Sequence, residues 1–316
     1  MNIAPNSYPG MTMAEYLALP AVSAGVIRTL LDECPAAARH ASWLNPLRER
    51  EDTAATDAGT IAHAILLEGS TAGVAVIDPE DHPAEKTGAI PEGWTNKSIR
   101  AARDAARASG LIPVLRPAML EIEAMVDSAQ DFIASLKTTE PAIWALFQPD
   151  GGESELTCVW QDGPTACRMR PDRISHDRRV IVDAKFTATS AEPDRWGRTQ
   201  LTGMGYYMSA AFYRRGCMAL WETQPDYVFL VVETAAPYLC SLVGVDPAGL
   251  ELGAEKVEVG LREWQRCINA DSWPGYPARV AYPEIPAWEQ ARWMERQGLD
   301  SQGIPYDPKI LYEVAA

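Results

Sequence analysis

The sequence predicts an α/β fold in which a mixed central sheet is flanked by helices and preceded by a mainly helical N-terminal region. Three observations predict it. Short strand-like segments follow one another near 153–160, 165–170 and 180–185, the last built on the β-branched run Val180-Ile181-Val182. A long helical stretch from about Asp194 to Trp221 then separates them from two further strand-like segments near 226–234 and 238–245. Before residue 150, apolar residues recur mostly at helical spacing.

Each element has a local reason. Ser23 is placed to cap a helix from Ala24 to Glu33, and Asp57 or Thr60 to cap the helix that carries His63. Residues 70–95 are rich in Pro, Gly and charge and read as a surface loop. Helical pattern returns from Asn96 to Ser109 and from Arg116 to Leu136, where Met119, Ile122, Met125, Val126 and Phe132 form an apolar stripe. Gly203 and Gly205 interrupt the helix that ends at Trp221, and Pro247 opens one running to about Asn269. Beyond Asp271 the chain is rich in Pro and Trp and reads as an irregular extension. The expected organisation is one compact unit with three parts: 1–150, mainly helical; 151–270, the sheet core; and 271–316, the extension.

Composition sets limits. The 316 residues are 47% hydrophobic, ordinary for a globular protein, and sum to a charge of −15, which disfavours a surface that grips polyanions everywhere. The acidity is uneven, because between residues 168 and 198 eight basic residues stand against five acidic ones. Arg168, Arg170 and Arg173 are the candidates there for contact with nucleic acid. A second basic cluster, Lys97, Arg100, Arg103 and Arg107, repeats at helical spacing and reads as a groove lining or as a solvated helix face. The six cysteines contain no C-x-x-C pair and no tight C-terminal group, which argues against zinc and iron-sulfur sites. With neither a leader peptide nor an apolar run of membrane length in view, a cytoplasmic protein with reduced thiols is expected.

The residues that carry chemistry are Asp172, Asp183 and Lys185. Alternation along a strand puts Asp183 and Lys185 on one face, and a tight connection from the preceding strand would bring Asp172, which follows Pro171, beside Asp183. Two carboxylates and an amine so arranged suit phosphodiester hydrolysis. The carboxylates, with the backbone carbonyl of Ala184, would hold Mg²⁺ or Mn²⁺, which binds phosphate oxygens and acidifies a water. Lys185 would orient or deprotonate that water and offset charge on the phosphorane. The competing reading makes Asp172 a turn residue and Asp183 and Lys185 a surface pair.

The order Pro171-Asp172, then Asp183-Ala184-Lys185, is the PD-(D/E)xK pattern, and more of the chain agrees with it. Glu15-Tyr16-Leu17, Gly59-Thr60-Ile61-Ala62-His63, Glu153-Ser154-Glu155, Arg168-Met169-Arg170-Pro171-Asp172-Arg173, Ala210-Ala211-Phe212-Tyr213 and Trp273-Pro274-Gly275-Tyr276 resemble, in this order, the nuclease domain of the RecE-type exonuclease VIII family. That is a phage and prophage branch of the PD-(D/E)xK superfamily, with its restriction-endonuclease-like core. The resemblance implies that His63 is a metal ligand. Read from its neighbours Ile61, Ile65 and Leu66 alone, it is equally a core histidine satisfied by a backbone carbonyl. Glu155 reads as a further acid of the site or as a solvated strand-edge residue.

Tyr213 matches the tyrosine of a Gln-x-x-x-Tyr helix, but Ser209 stands where the glutamine is expected, and Gln200 lies more than three turns from Tyr213. The resemblance further implies a Mg²⁺-dependent exodeoxyribonuclease acting on linear duplex DNA from the 5′ end. It would leave 3′ single strands for a RecT-type annealing protein, working as a homo-oligomer such as a tetrameric ring in the cytoplasm of a bacterial host. Competing readings are an endonuclease or structure-specific nuclease on the same fold, and a catalytically silent DNA-binding scaffold, for which Ser209 is the best argument.

Overall fold

β-Branched and aromatic residues supply the two longest strands among the described residues, and both are largely buried between helices, with the polar positions Asp183 and Lys185 confined to one face of the first. The computed structural model describes residues 3–47 and 54–298, without the side chains of residues 54–56. Two units are distinguished, Met1–Gly275 and Tyr276–Ala316.

The first unit opens with β1 (Asn6–Tyr8), α1 (Met13–Ala18), α2 (Ala24–Asp32), α3 (Pro35–His40) and α4 (Ala54–Glu68). Next come β2 (Val74–Ile77), α5 (Lys97–Ala108), β3 (Ile112–Leu115), α6 (Arg116–Ser135) and α7 (Pro141–Leu146). The strands β4 (Gly152–Ser154), β5 (Thr157–Asp162), β6 (Thr165–Met169), β7 (Arg173–Ser175) and β8 (Val180–Thr187) follow in succession. The unit is completed by α8 (Pro193–Trp196), α9 (Tyr206–Trp221), β9 (Asp226–Glu233), β10 (Cys240–Gly244) and α10 (Pro247–Ala270). In the second unit the tail read as irregular contains a helix, α11 (Ala287–Arg296), on which Trp288 and Trp293 are exposed.

The central sheet has the order β10-β9-β8-β7-β4 and is mixed, since β8 pairs parallel with β9 while the other neighbours are antiparallel. Ile181, Tyr227, Phe229 and Val231 face a core shared with Ile27, Trp160, Trp196, Phe212 and Trp264. Val182, Ala184, Leu230 and Val232 face the opposite way, onto Ile61 and Leu66 of α4 and the stripe Met119, Ile122, Met125 and Val126 of α6. The apolar stripe expected on 116–136 is therefore the one that buries the second face.

A second sheet, β1-β5-β6, is formed by the same pair of chain segments that edges the first. The segment read as one strand from 153 to 160 is two strands, because Glu155 adopts a left-handed backbone (φ 51°) and passes the chain from β4 in the central sheet to β5 in the small one. Its neighbour makes the same transfer between β6 and β7 through Arg170, Pro171 and Asp172. Glu155 N–H donates to the Asp172 carbonyl (3.1 Å), so the two crossings are tied together. A left-handed residue that is not glycine costs about 1–2 kcal/mol, and here it is held by pairing on both sides.

Other differences are local. The helix of His63 begins at Ala54, so Asp57 and Thr60 lie inside it and neither is the cap. The loop expected over 70–95 contains β2, which pairs in parallel with β3. Residues 197–201 form a π-helical turn, and Gly205 (φ 62°) breaks the chain before α9, so Gln200 does not share a helix with Tyr213. The cysteines of the described residues form no disulfide. Among the described residues no helix is long and apolar enough to cross a membrane.

Close packing of α9 on α10 sets where α9 lies. Gly253 of α10 sits against the Tyr207 carbonyl, and a Cβ there would stand 2.7 Å from that oxygen and 3.0 Å from the Ala211 Cβ. Gly253→Val is expected to lower unfolding free energy by about 1–3 kcal/mol through overpacking. Urea denaturation followed by tryptophan fluorescence measures it.

Candidate metal and active site

The site forms where β7 ends and β8 continues. β7 pairs with β8 through Ile174↔Ile181 and Arg173↔Val182, and the next backbone pair of β8 on that edge belongs to Ala184. Asp172, just before β7, fills the vacated position, its carboxylate accepting the Ala184 N–H at 2.8 Å. The Ala184 carbonyl lies 2.9 Å from Nε2 of His63, which reaches across from α4. Nδ1 of the same ring is 3.6 Å from the Asp172 carboxylate. Phe186 meets the imidazole edge-on, with ring centroids 5.4 Å apart, and steadies its orientation.

Ligand atoms of His63, Glu155 and Asp172 all lie within 4.8 Å of one another. Arg170 fixes Glu155 through a 2.6 Å bond from Nε, and is itself anchored on the Met11 carbonyl (2.7 Å) and the Thr157 hydroxyl (2.8 Å). These groups line an open cavity of about 500 Å³ that also includes Tyr16, Lys185 and Tyr213. Asp183 and Lys185 share a face of β8, as alternation requires, and are ion-paired. The second oxygen of Asp183 accepts a 2.7 Å bond from the Tyr227 hydroxyl. Asp183 thus stands beside the three-residue cluster, turned toward Lys185 and Tyr227, while Glu155 joins His63 and Asp172.

Charge is concentrated here. Burial, reinforced by Asp183, pushes the Asp172 carboxyl up to about 7. Burial and Asp172 raise Glu155 as well. The His63 imidazole is held below the usual histidine range, chiefly by burial and then by Lys185, which favours the neutral ring with a free lone pair. Burial alone would lower Lys185, but Asp183 and Asp172 outweigh it and the ammonium sits above the ordinary lysine value. Lys185 is therefore a fixed cation in this environment.

The donor set fits a hard divalent cation. It offers two carboxylates and an imidazole at one point, with the Ala184 carbonyl beside the ring, and the acids carry negative charge that burial disfavours unless a cation offsets it. Nε2 of His63 donates to the Ala184 carbonyl at 2.9 Å, which leaves Nδ1, 3.6 Å from the Asp172 carboxylate, as the lone-pair atom of the neutral ring.

Of the three arginine candidates, two lie away from the site and the third is committed within it. Arg168 is 1% exposed, its guanidinium bonded to the carbonyls of Tyr16, Leu17 and Leu19 and stacked on the Tyr16 ring, so it cannot meet nucleic acid. Arg173 is engaged with the Leu146 carbonyl (2.8 Å) and the Ser154 hydroxyl (2.7 Å), tying α7 to β4. Arg170 reaches the cavity but is committed to Glu155 and the backbone. All three satisfy buried or half-buried oxygens, a demand that local basic character does not reveal. Ser209 is half-buried on α9 and lines none of the site cavity, whereas Tyr213 lines it and donates to the Arg170 carbonyl at 3.4 Å. Sequence reasoning missed Tyr227, whose alternation with Phe229 and Val231 reads only as core, and Tyr16, whose place in the cavity depends on Arg168 and Arg170.

A mixed sheet with helices on both faces and an acid, acid, lysine site at the parting of two strands defines a protein of the PD-(D/E)xK nuclease superfamily. More narrowly, the chain belongs to the family described as a PDDEXK-like domain of unknown function (DUF3799), whose model matches residues 27–284. Nucleases of this superfamily generally use divalent metal ions. No curated protein matches the chain. Among solved structures, a protein from Eubacterium rectale described as a "putative exonuclease" is similar in fold, with a TM-score of 0.54 at 13% identity over 89% of this chain and 97% of that one. SSO0001 aligns over 71% of this chain and 98% of its own at 11% identity, with a TM-score of 0.25 that supports no comparison.

The raised Asp172 carboxyl has a sign that can be measured. Its folded value lies above its unfolded one, so between about pH 4 and 7 the folded protein binds a proton that the unfolded chain does not, and stability falls as pH rises through that window. In chelator at pH 8, Asp172→Asn is expected to melt above the wild type, with the gap closing toward pH 5. Adding Mn²⁺ should raise the wild-type melting temperature and move the variant much less, as thermal scans would record.

Proposed function

We propose that this protein is a Mg²⁺-dependent exodeoxyribonuclease that hydrolyses linear double-stranded DNA. The observation that carries the reading is the convergence of His63, Glu155 and Asp172 in one open cavity that Lys185 also lines, with the buried Asp183 paired to that lysine. A divalent cation, when bound there, supplies charge neutralisation for the scissile phosphate and acidifies a water. His63, Asp172, Glu155 and the Ala184 carbonyl would hold it. Lys185, kept protonated by its two acidic neighbours, places a cation against the non-bridging oxygens, where negative charge accumulates during displacement. Tyr227 fixes one Asp183 oxygen, so that the other meets the lysine.

Action on DNA ends, 5′ to 3′ polarity and delivery of 3′ tails to a RecT-type annealing protein rest on the ordered motif resemblance to the RecE-type exonucleases. The name carried by the Eubacterium rectale protein agrees with an exonuclease. A ring of several copies in the bacterial cytoplasm belongs to the same reading. Ser209, in place of the glutamine, lines none of the cavity, so the substitution leaves the metal cluster intact and removes only a side chain that could have reached the strand.

A time course with Mg²⁺ on a linear duplex labelled separately at each 5′ and 3′ end tests activity, end requirement and polarity together. Immediate release of label from the 5′ end with the 3′ label retained is expected, and a closed circle should resist. Asp183→Ala and Lys185→Ala are expected to lower the rate by about a hundredfold or more while leaving the far-ultraviolet circular dichroism unchanged. Full activity in either variant would remove the assignment.

A further inference from the structure

A second cavity, of about 640 Å³, adjoins the catalytic one and shares Gly59 and Phe186 with it. Its floor is apolar, formed by Pro113, Val114 and Leu115 of β3 and by Ile122 and Met125 of α6. Trp94, half-buried in the loop before α5, stands at its wall with Arg103 of α5, whose guanidinium lies 5.9 Å from the indole centroid and is ion-paired with the adjacent, exposed Asp104 at 2.7 Å, a surface pair that a phosphate can displace. Arg107, one turn further, is bonded to Asp57 at 2.8 Å, and Glu121 is exposed on the lining. The basic face noted on 97–107 therefore does not only meet solvent, since two of its four members line this space. At Gly59, on the boundary, the position of a Cβ is open.

We propose that this cavity is a nucleotide site for the DNA strand adjoining the scissile phosphate, with a base stacked on Trp94 and the flanking phosphate at Arg103. The inference rests on the nuclease reading of the neighbouring site. An indole and a guanidinium offer planar faces to a base and positive charge to a phosphate, a combination that grips single strands without reading their sequence. The apolar floor suits a base more than it suits a metal or a sugar alone. The shared wall matters too, since a strand held at His63 and Lys185 passes Phe186 to enter. The volume lies within the range of roughly 300–1,000 Å³ usual for ligand sites.

The test uses full-length Lys185→Ala protein with Mg²⁺, so that bound strands persist. Fluorescence anisotropy would give the Kd for labelled oligothymidylate and for an abasic chain with the same phosphates. Adding Trp94→Ala is expected to raise the Kd for oligothymidylate about tenfold and leave that for the abasic chain unchanged. Trp94→Phe, which keeps a π face, should restore most of the affinity, and Arg103→Ala should weaken both ligands. Oligothymidylate binding unaffected by Trp94→Ala and Arg103→Ala overturns the proposal, as does equal loss for both ligands in the Trp94→Ala protein. A parent that binds duplex but not oligothymidylate overturns this site and leaves the nuclease reading standing, whereas a parent that binds neither removes both.

Discussion

The hydrogen bond from the Ala184 N–H to the Asp172 carboxylate is the contact on which the site depends. It exists because β7 is only three residues long and leaves β8 with an unpaired backbone edge just where Asp172 arrives. A buried amide without a partner costs about 1–3 kcal/mol, so the edge must be satisfied by something, and here a carboxylate does it. His63 takes the carbonyl of the same residue from the other side. One backbone position thus gathers a loop acid and a helix histidine that lie more than a hundred residues apart in the chain.

The shape of the backbone around that position follows from two strands changing sheets together. Glu155 and Asp172 mark the crossings, joined by a backbone hydrogen bond, and each crossing turns a carboxylate out of the ladder and toward the cavity. Arg170, at the second crossing, then ion-pairs with the acid of the first. Tyr16 from α1 lies under both Arg168 and Arg170, which is why a segment near the N-terminus forms part of a site whose acids come much later. The arginines that seemed free to meet DNA are spent on this scaffold.

Holding three acids and one lysine in a partly enclosed site is unfavourable without compensation, and the raised Asp172 and Glu155 carboxyls record that. Active sites commonly concentrate such unfavourable charge. The same crowding keeps Lys185 protonated and His63 neutral, the states that suit a phosphate-facing cation and a metal-ligating ring. An overall charge of −15 is compatible with this arrangement, because the basic residues that matter are those at the cavities rather than those on the outside.

Much of this was legible in the sequence. Alternation placed Asp183 and Lys185 on one face of β8, apolar periodicity identified α6, and the ordered motifs brought His63, Glu155 and Asp172 into consideration before any contact was known. Those signals are local or are carried by residue type, and a periodicity can be read from one segment. What only the tertiary structure decided is non-local: that the 153–160 segment breaks at Glu155, that Tyr227 holds Asp183, that Arg168 is buried, and that α5 lines a cavity beside the site. Each depends on which partner the rest of the chain supplies, and the energy of a hydrogen bond or a buried charge is fixed by that partner and its surroundings, not by the residue that carries it.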